Sequence, residues 1–178
     1  MACSSITGAV TKSCSNNVGG IVKLYIANAD DVVTITDTTS DGDIDVITMA
    51  SGKKFYEFQF NPDTSTYTEN MVKNLESGST FFDQVITVKL NRRELAKRTQ
   101  LILLTQGAFK AIVKDANGIY WMLGENNNMY LSKNDGGAGI KKEDQNGYTL
   151  EFKSIGEADM AKVIDVTNNA TIVSAIIA

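Results

Sequence analysis

The chain is predicted to be mainly β: an antiparallel β-sandwich or barrel with one flanking α-helix and a long hairpin extension. Three observations predict this class. About eight to ten short stretches alternate apolar and polar residues between turns rich in Gly, Asn, Asp and Ser. Helical periodicity is concentrated in one place, the block NRRELAKRTQLILLTQGAFKAIVKDANGIYWMLG, which reads as a helix feeding directly into a tight hairpin. The 178 residues include a single proline, Pro62, so a common means of blunting edge strands is almost unused. Open edges favour pairing with another copy.

Taken in order, residues 1–19 are rich in Ser, Thr, Asn and Gly and read as an N-terminal arm ending at Gly19-Gly20. The sandwich domain is expected over 20–167. GIVKLYIA begins it as a strand, with Val22, Leu24 and Ile26 on one face and Ile21, Lys23 and Tyr25 on the other. VVTIT and IDVITM follow, joined by the turn-forming TDTTSDGD, and KKFYEFQF alternates Phe58 and Phe60 with Glu57 and Gln59. Residues 61–90 hold two β-prone arms, NPDTSTYTE and STFFDQVITVKL, around MVKNLESGS, which is turn-like or briefly helical. That is a hairpin longer than a compact core requires.

A helix over 91–106 is expected next, capped by Asn91 with Glu94 as its capping-box partner and stopped by a left-handed Gly107. AFKAIV and IYWMLG then flank the turn Asp115-Ala116-Asn117-Gly118, where Asn-Gly tolerates positive φ. Met129 to Leu131 reads as a short strand in a loop-rich stretch, GYTLEFKSIG as a clear strand with Tyr148, Leu150 and Phe152 on one face, and MAKVIDV as the last core strand. Residues 168–178, including TIVSAIIA, read as a C-terminal strand or arm.

Composition excludes several function classes. The net charge of −4 opposes sequence-specific nucleic-acid binding. The chain contains no histidine, which removes the commonest general base and zinc ligand. Cys3 and Cys14 are the only thiols and fall in the arm, as reduced thiols or as a disulfide closing it. The N-terminus lacks a signal-peptide pattern and no apolar run is long enough to span a membrane, so synthesis in the cytoplasm is expected. Neither a catalytic site, a cofactor site nor a metal site is expected.

The acids Asp37, Asp41, Asp43 and Asp45 lack the later glycine and bidentate glutamate of a calcium loop and read as a solvated turn. Gly136-Gly137-Ala138-Gly139 does not open a helix after a strand, so it reads as a mobile loop rather than a phosphate cradle. Glu143 and Asp144, among lysines, read as solvated rather than as an acid/base pair. Tyr120, Trp121 and Tyr130 read as core or cross-strand aromatics, with a sugar-binding platform as the sharper alternative. The cluster Arg92, Arg93, Lys97 and Arg98 sits where a helix begins, which the macrodipole disfavours. A Glu94–Arg98 pair offsets part of this. Acidic residues of a neighbouring copy, such as Asp41, Asp43 and Asp45, are candidate partners. The candidate subunit interface is therefore Arg92, Arg93 and Arg98 with Thr66, Tyr67, Met71, Leu75 and Phe81 of the long hairpin.

The order GGIVKLYIAN, GKKFYEFQF, STYTENMVKNLESGSTFFDQVITVKLN, RRELAKRTQLILLTQ, KDANGIYWMLG and NGYTLEF resembles virion structural proteins of tailed phages of gut Bacteroides-type bacteria, including crAss-like phages. The arrangement is also similar to phage tail tube and tail ring proteins. The resemblance implies a subunit that self-assembles into a ring, hexameric in that family, as a single neck or tail ring or in a stack. It implies contact with other tail or neck proteins, passage of DNA without specific binding, no membrane partner, and residence in the virion tail after synthesis in the host bacterial cytoplasm. A capsid decoration or head-fibre protein is the alternative from another class, and a carbohydrate-binding sandwich a second.

Overall fold

The computed structural model describes residues 8–37 and 42–164. Its strands are β1 (Ile21–Asn28), β2 (Val32–Thr36), β3 (Val46–Met49), β4 (Tyr56–Phe58), β5 (Thr66–Asn74), β6 (Ser79–Asn91), β7 (Phe109–Asp115), β8 (Tyr120–Leu123), β9 (Tyr130–Gly137), β10 (Gly147–Glu157) and β11 (Lys162–Val163). The helix α1 spans Leu95–Leu104. A five-stranded sheet runs β11–β8–β7–β1–β4, a four-stranded sheet β5–β6–β10–β9, and β2 pairs with β3 alone. Paired strands are antiparallel throughout. The protein is mainly β, with sandwiched sheets that do not close into a barrel among the described residues.

Alternation builds the sandwich. On β6, Ile86, Val88 and Leu90 are buried; on β10, Tyr148, Leu150 and Phe152 are, while their neighbours Thr149, Glu151 and Lys153 are only half-buried. These side chains meet Leu24 and Ile26 of β1 and Ala111 and Val113 of β7 in one core. The Phe152 ring packs edge-on against Phe58 and Phe109, with centroids 6.3 and 6.2 Å away, and so ties the two sheets together.

The five-stranded sheet is covered on its other face too. Tyr25, Ala27, Ile112 and Met122 pack against Ile44, Ile47, Phe55 and Ile164, with Val32, Ile35 and Met49 of the β2–β3 hairpin at the rim. Burial on both faces explains why β7 is a near-continuous apolar run rather than an alternating one. It also corrects the expected pattern of β1. The register shifts between Ile21 and Lys23, so Ile21 joins Leu24 and Ile26 in the main core and Val22 turns outward.

The helix begins later than its sequence suggests. The β6–β10 ladder continues to the pair Gly147–Asn91, and the Arg92 N–H donates to the Asn146 carbonyl at 2.6 Å. Asn91 is therefore the end of a strand and not a helix cap. Glu94 occupies the N-cap position without a side-chain cap bond, and its carboxylate instead meets Arg92 at 3.1 Å and Lys97 at 3.9 Å. At the other end the Thr105 hydroxyl donates to the Ile102 carbonyl at 2.7 Å and closes the last turn. Gly107 is not left-handed; a Cβ there would strike the Phe109 ring.

The expected loop at Gly136-Gly137 is the end of strand β9, because β10 pairs with it throughout. Gly136 lies under the Tyr148 ring, which leaves no room for a side chain. MVKNLESGS is neither helical nor merely turn-like. Strand β5 runs to Asn74, whose side-chain oxygen accepts from the Glu76 and Ser77 N–H groups at 2.9 and 3.3 Å, and Gly78 with φ +68° completes the reversal.

Gly147 opens β10 opposite the end of β6, and a Cβ there would collide with the Leu90 carbonyl oxygen. Neither backbone can yield without breaking the ladder. Gly147→Ala is expected to cost about 1–3 kcal/mol, read as a lowered urea midpoint. An unchanged midpoint would mean the sheet flexes more readily than this packing implies.

Candidate assembly surfaces

The structure splits the candidate interface residues into two patches. Thr66 and Tyr67 lie near the start of β5, Met71 near its far end, Leu75 in the turn and Phe81 on the outgoing strand. Arg92, Arg93 and Arg98 lie past the other end of β6. At about 3.3 Å per residue, β6 holds the hairpin turn about 40 Å from the arginines, whereas Thr66, opposite Thr87, is only about 17 Å from them along the strand.

The hairpin has a core half and a projecting half. Residues 84–91 of β6 pair with β10, and beyond Phe82, which faces Glu157, β10 no longer follows. Tyr67 packs against the main core, and burial is the leading reason its phenol is pushed above the ordinary range. It is half-buried, with its ring packed against the core rather than projecting with the tip. Glu69 Oε1 accepts from Gln84 Nε2 at 3.1 Å and from the Ala161 N–H at 2.7 Å, which locks the hairpin base. The projecting part exposes Met71, Val72 and Leu75, the last 84% accessible, with Phe81 and Phe82 half-buried behind them.

At the opposite end, Arg92 and Arg93 precede α1 rather than occupying its first turn, so a macrodipole penalty is not what distinguishes them. Arg92 adopts φ +58° between strand and helix. Arg93 stacks over the Tyr148 ring, 5.6 Å from its centroid, beside an open recess of about 350 Å³ that Arg98 and Asn146 also line. Lys97 Nζ donates to the Asn91 carbonyl at 2.6 Å. Arg98 uses its N–H on the Glu94 carbonyl at 2.9 Å as part of the helix. Of the acids expected to face this cluster from another copy, Asp45 is buried and Asp41 lies outside the described residues.

Leu101 is the one fully buried side chain of α1, worth about 1.5–3 kcal/mol. Leu95, Ile102 and Leu103 are exposed. Between α1 and the β1–β4 edge runs a groove of about 730 Å³, lined by Tyr56, Phe58, Ala96, Leu103 and Leu104 among others. The sequence signal for it was the run Leu101-Ile102-Leu103-Leu104: four consecutive apolar residues wrap the helix, so one core cannot bury them all.

A second feature passed unnoticed in the sequence. Lys110 on β7 is 9% exposed, and its Nζ donates to the Gly124 and Glu125 carbonyls, both at 2.8 Å, and to Asn128 Oδ1 at 3.0 Å. Glu157 is 1% exposed and accepts from the N–H groups of Asn126 and Asn127, both at 3.0 Å, and from the Ser154 hydroxyl at 2.7 Å. Burial lowers the Lys110 pKa, with Glu157 and then Glu125 opposing that shift. Between them, ammonium and carboxylate fix the β8–β9 connection. These groups are saturated by the protein and serve architecture.

Tyr120 packs on the outer core and Trp121 on the inner one, so consecutive positions of β8 send them to opposite faces. They do not form a shared sugar platform. Trp121 Nε1 donates to Asp115 Oδ2 at 3.2 Å, and of the Asn117-Gly118 pair in the adjoining turn Gly118 alone has positive φ. Asn117 holds the arm: its side chain accepts from the Val18 N–H at 2.9 Å and donates to Asn17 Oδ1 at 3.0 Å. Cys14 is exposed and free, while Cys3 and the 168–178 segment lie outside the described residues. Glu143 pairs with Lys141 at 3.8 Å, and Asp144 accepts from the Lys141 and Ile140 N–H groups, which lower its pKa.

Fold and surfaces together define a class, an antiparallel β-sandwich with one loosely held helix and a projecting hairpin at opposite ends of a single long strand. No protein-family model, curated protein or solved structure matches the chain. No helix among the described residues is long and apolar enough to cross a membrane.

Proposed function

We propose that this protein is a non-catalytic structural subunit of a phage virion, a tail tube or tail ring protein whose copies form a ring around a passage for DNA. The observation that carries the reading is the four-stranded sheet. Among the described residues its outer strands, β5 and β9, each pair on one side only. Strand directions alternate across the sheet, so β9 of one copy beside β5 of the next continues the antiparallel order. Such a head-to-tail contact joins two different edges, and it closes into a ring when the rotation per copy closes.

The outward face of that sheet suits a passage wall. It carries Thr66, Thr68, Thr87 and Thr149, with Lys89, Lys133 and Lys153 set among Glu151 and Asp135, and Lys133 pairs with Asp135 at 2.9 Å. Interleaved signs give no continuous cationic stripe for phosphates to grip. The partners on this reading are other copies, neighbouring tail or neck proteins, and DNA in transit without specific binding. The protein would reside in the virion tail after synthesis in the host bacterial cytoplasm.

Size-exclusion chromatography with light scattering, followed by negative-stain microscopy, tests the reading. Rings or stacked rings are expected. A monomer that persists at high protein concentration would sink it, and isolated compact oligomers would favour a capsid decoration or head-fibre protein instead. Reversing Arg92 and Arg93 to Glu should weaken assembly strongly. Protomer stability should fall only modestly, because the exposed Arg92–Glu94 pair is worth about 0–1 kcal/mol and the Arg93 stack on Tyr148 about 0.5–1 kcal/mol. Unimpaired assembly would remove this end of the strand from any interface. A DNA shift assay on the wild-type protein should show no tight, salt-sensitive binding.

A further inference from the structure

We infer that Val72 of one copy packs against Tyr130 of the next, which fixes the register in which β5 and β9 pair around the ring. This register rests on the ring reading and supplies what that reading leaves open, the stagger from copy to copy.

The faces of the two edges limit the choice. On β9, Tyr130, Lys133 and Asp135 face outward beside Lys153, Glu151 and Thr149, with Ser132 as the extra residue of a bulge. On β5 the outward positions are Thr66, Thr68, Asn70 and Val72, because Tyr67 between them packs on the main core. Paired strands keep their faces together, so only shifts of two residues are open. With Ser132 again bulged, Tyr130 opposite Val72 sets Lys133 opposite Asn70, Asp135 opposite Thr68 and Gly137 opposite Thr66. Strand β9 is then paired over its whole length. A register two residues shorter would run the end of β9 past the start of β5.

Closure favours the same register. Within one copy Thr68, Val85, Lys153 and Tyr130 form a single row across the four strands. Val72 of the next copy beside Tyr130 therefore advances that row by four residues for every four strands. At about 3.3 Å per residue and about 4.8 Å between strands, the strands tilt by about 35° from the ring axis. Closed sheets tilt by roughly 35–45°. The tilt is the same for any number of copies, since rise and circumference grow together. The register two residues shorter gives about 19°, too little to close in this way.

Side-chain chemistry separates Val72 from the next position in the other direction, Asn74. Tyr130, 56% exposed, and Ile155, 60% exposed, border an open recess of about 470 Å³ on a face otherwise dominated by Thr, Lys, Glu and Asp. Val72 is β-branched and exposed, and Phe81 lies across from it on β6. An aromatic ring beside a β-branched residue is a favourable cross-strand pair. Asn74 is already committed, because its side-chain oxygen accepts from the Glu76 and Ser77 N–H groups in the turn.

Cysteine cross-linking reads the register without touching Val72 or Tyr130. In a Cys3→Ser, Cys14→Ser background, one chain carries Thr68→Cys and Asp135→Cys, both exposed and on opposite edges of the sheet. Mild oxidation should give a ladder of disulfide-linked copies, because opposed Cα atoms lie within the roughly 4.4–6.8 Å a disulfide spans. Asp135→Cys combined with Thr66→Cys or with Asn70→Cys is two residues out of register and should link at least about tenfold less. Val72→Asp should raise the concentration needed for assembly at least about tenfold, by placing a charge against the Tyr130 ring. Rings that link best through Thr66 or Asn70, or that form as readily with Val72→Asp, would overturn this contact and leave the ring reading standing. Links through Thr68 in open filaments would keep the contact and overturn the ring. A monomer without links would overturn both.

Discussion

Replacing residues 71–82 by Asn-Gly is expected to leave a folded protomer that no longer polymerises. Asn70 and Asp83 face each other across the hairpin, so a two-residue turn joins them without changing the register of what remains. Of the deleted side chains, only Phe81 and Phe82 are even half-buried. Taking out 66–80 instead should unfold the chain or cost it about 3 kcal/mol or more. That cut removes Tyr67 from the main core and Glu69 from its bonds to Gln84 and Ala161. Circular dichroism reads the fold and microscopy the assembly. Collapse of the shorter deletion would place the finger in the folding unit, and polymers that survive it would exclude the finger from the contacts between copies.

Lys110→Met should be among the most destabilising single substitutions in the protein, at about 3 kcal/mol. The side-chain length is kept, but the Gly124 and Glu125 carbonyls lose their donor and the buried Glu157 loses a nearby cation. Leaving such groups unsatisfied costs about 1–3 kcal/mol each, more where a charge is left unbalanced. Lys133→Met is the matched control. Its 2.9 Å pair with Asp135 is exposed, so about 0–1 kcal/mol is expected. Urea unfolding of both variants decides the matter. Equal midpoints would show that the β8–β9 connection is solvated well enough to manage without the ammonium.

The long hairpin and the lone helix illustrate how far local sequence reached. The alternation of Ile86, Val88 and Leu90, and of Tyr148, Leu150 and Phe152, identified half-buried strands because side chains on a pleated strand point to opposite faces. Asn74 through Gly78 and Asp115 through Gly118 identified reversals because their side chains or positive φ make tight turns. The helix in the 91–106 region was legible from its periodicity, but its first residue was not. Asn91 to Glu94 look like a capping box, and only the partner strand β10, more than fifty residues further on, draws Asn91 into the ladder. Gly136 and Gly137 failed the other way, since weak strand formers became strand once β10 was beside them.

The candidate site divides along the same line. By itself the sequence determined that the chain is mainly β, that it has one helix and an over-long hairpin, and that cations gather where strand becomes helix. These are properties of neighbouring residues. Tertiary structure decided that β1 shifts its faces at Ile21, that Tyr67 packs against the core, that Tyr120 and Trp121 part to opposite faces, and that Lys110 and Glu157 are buried around one loop. It also decided that the hairpin tip and the arginine cluster stand at opposite ends of β6. The physical reason is common to all of these. Burial and register depend on which strands lie side by side, and that pairing joins residues too far apart in sequence for any local pattern to record.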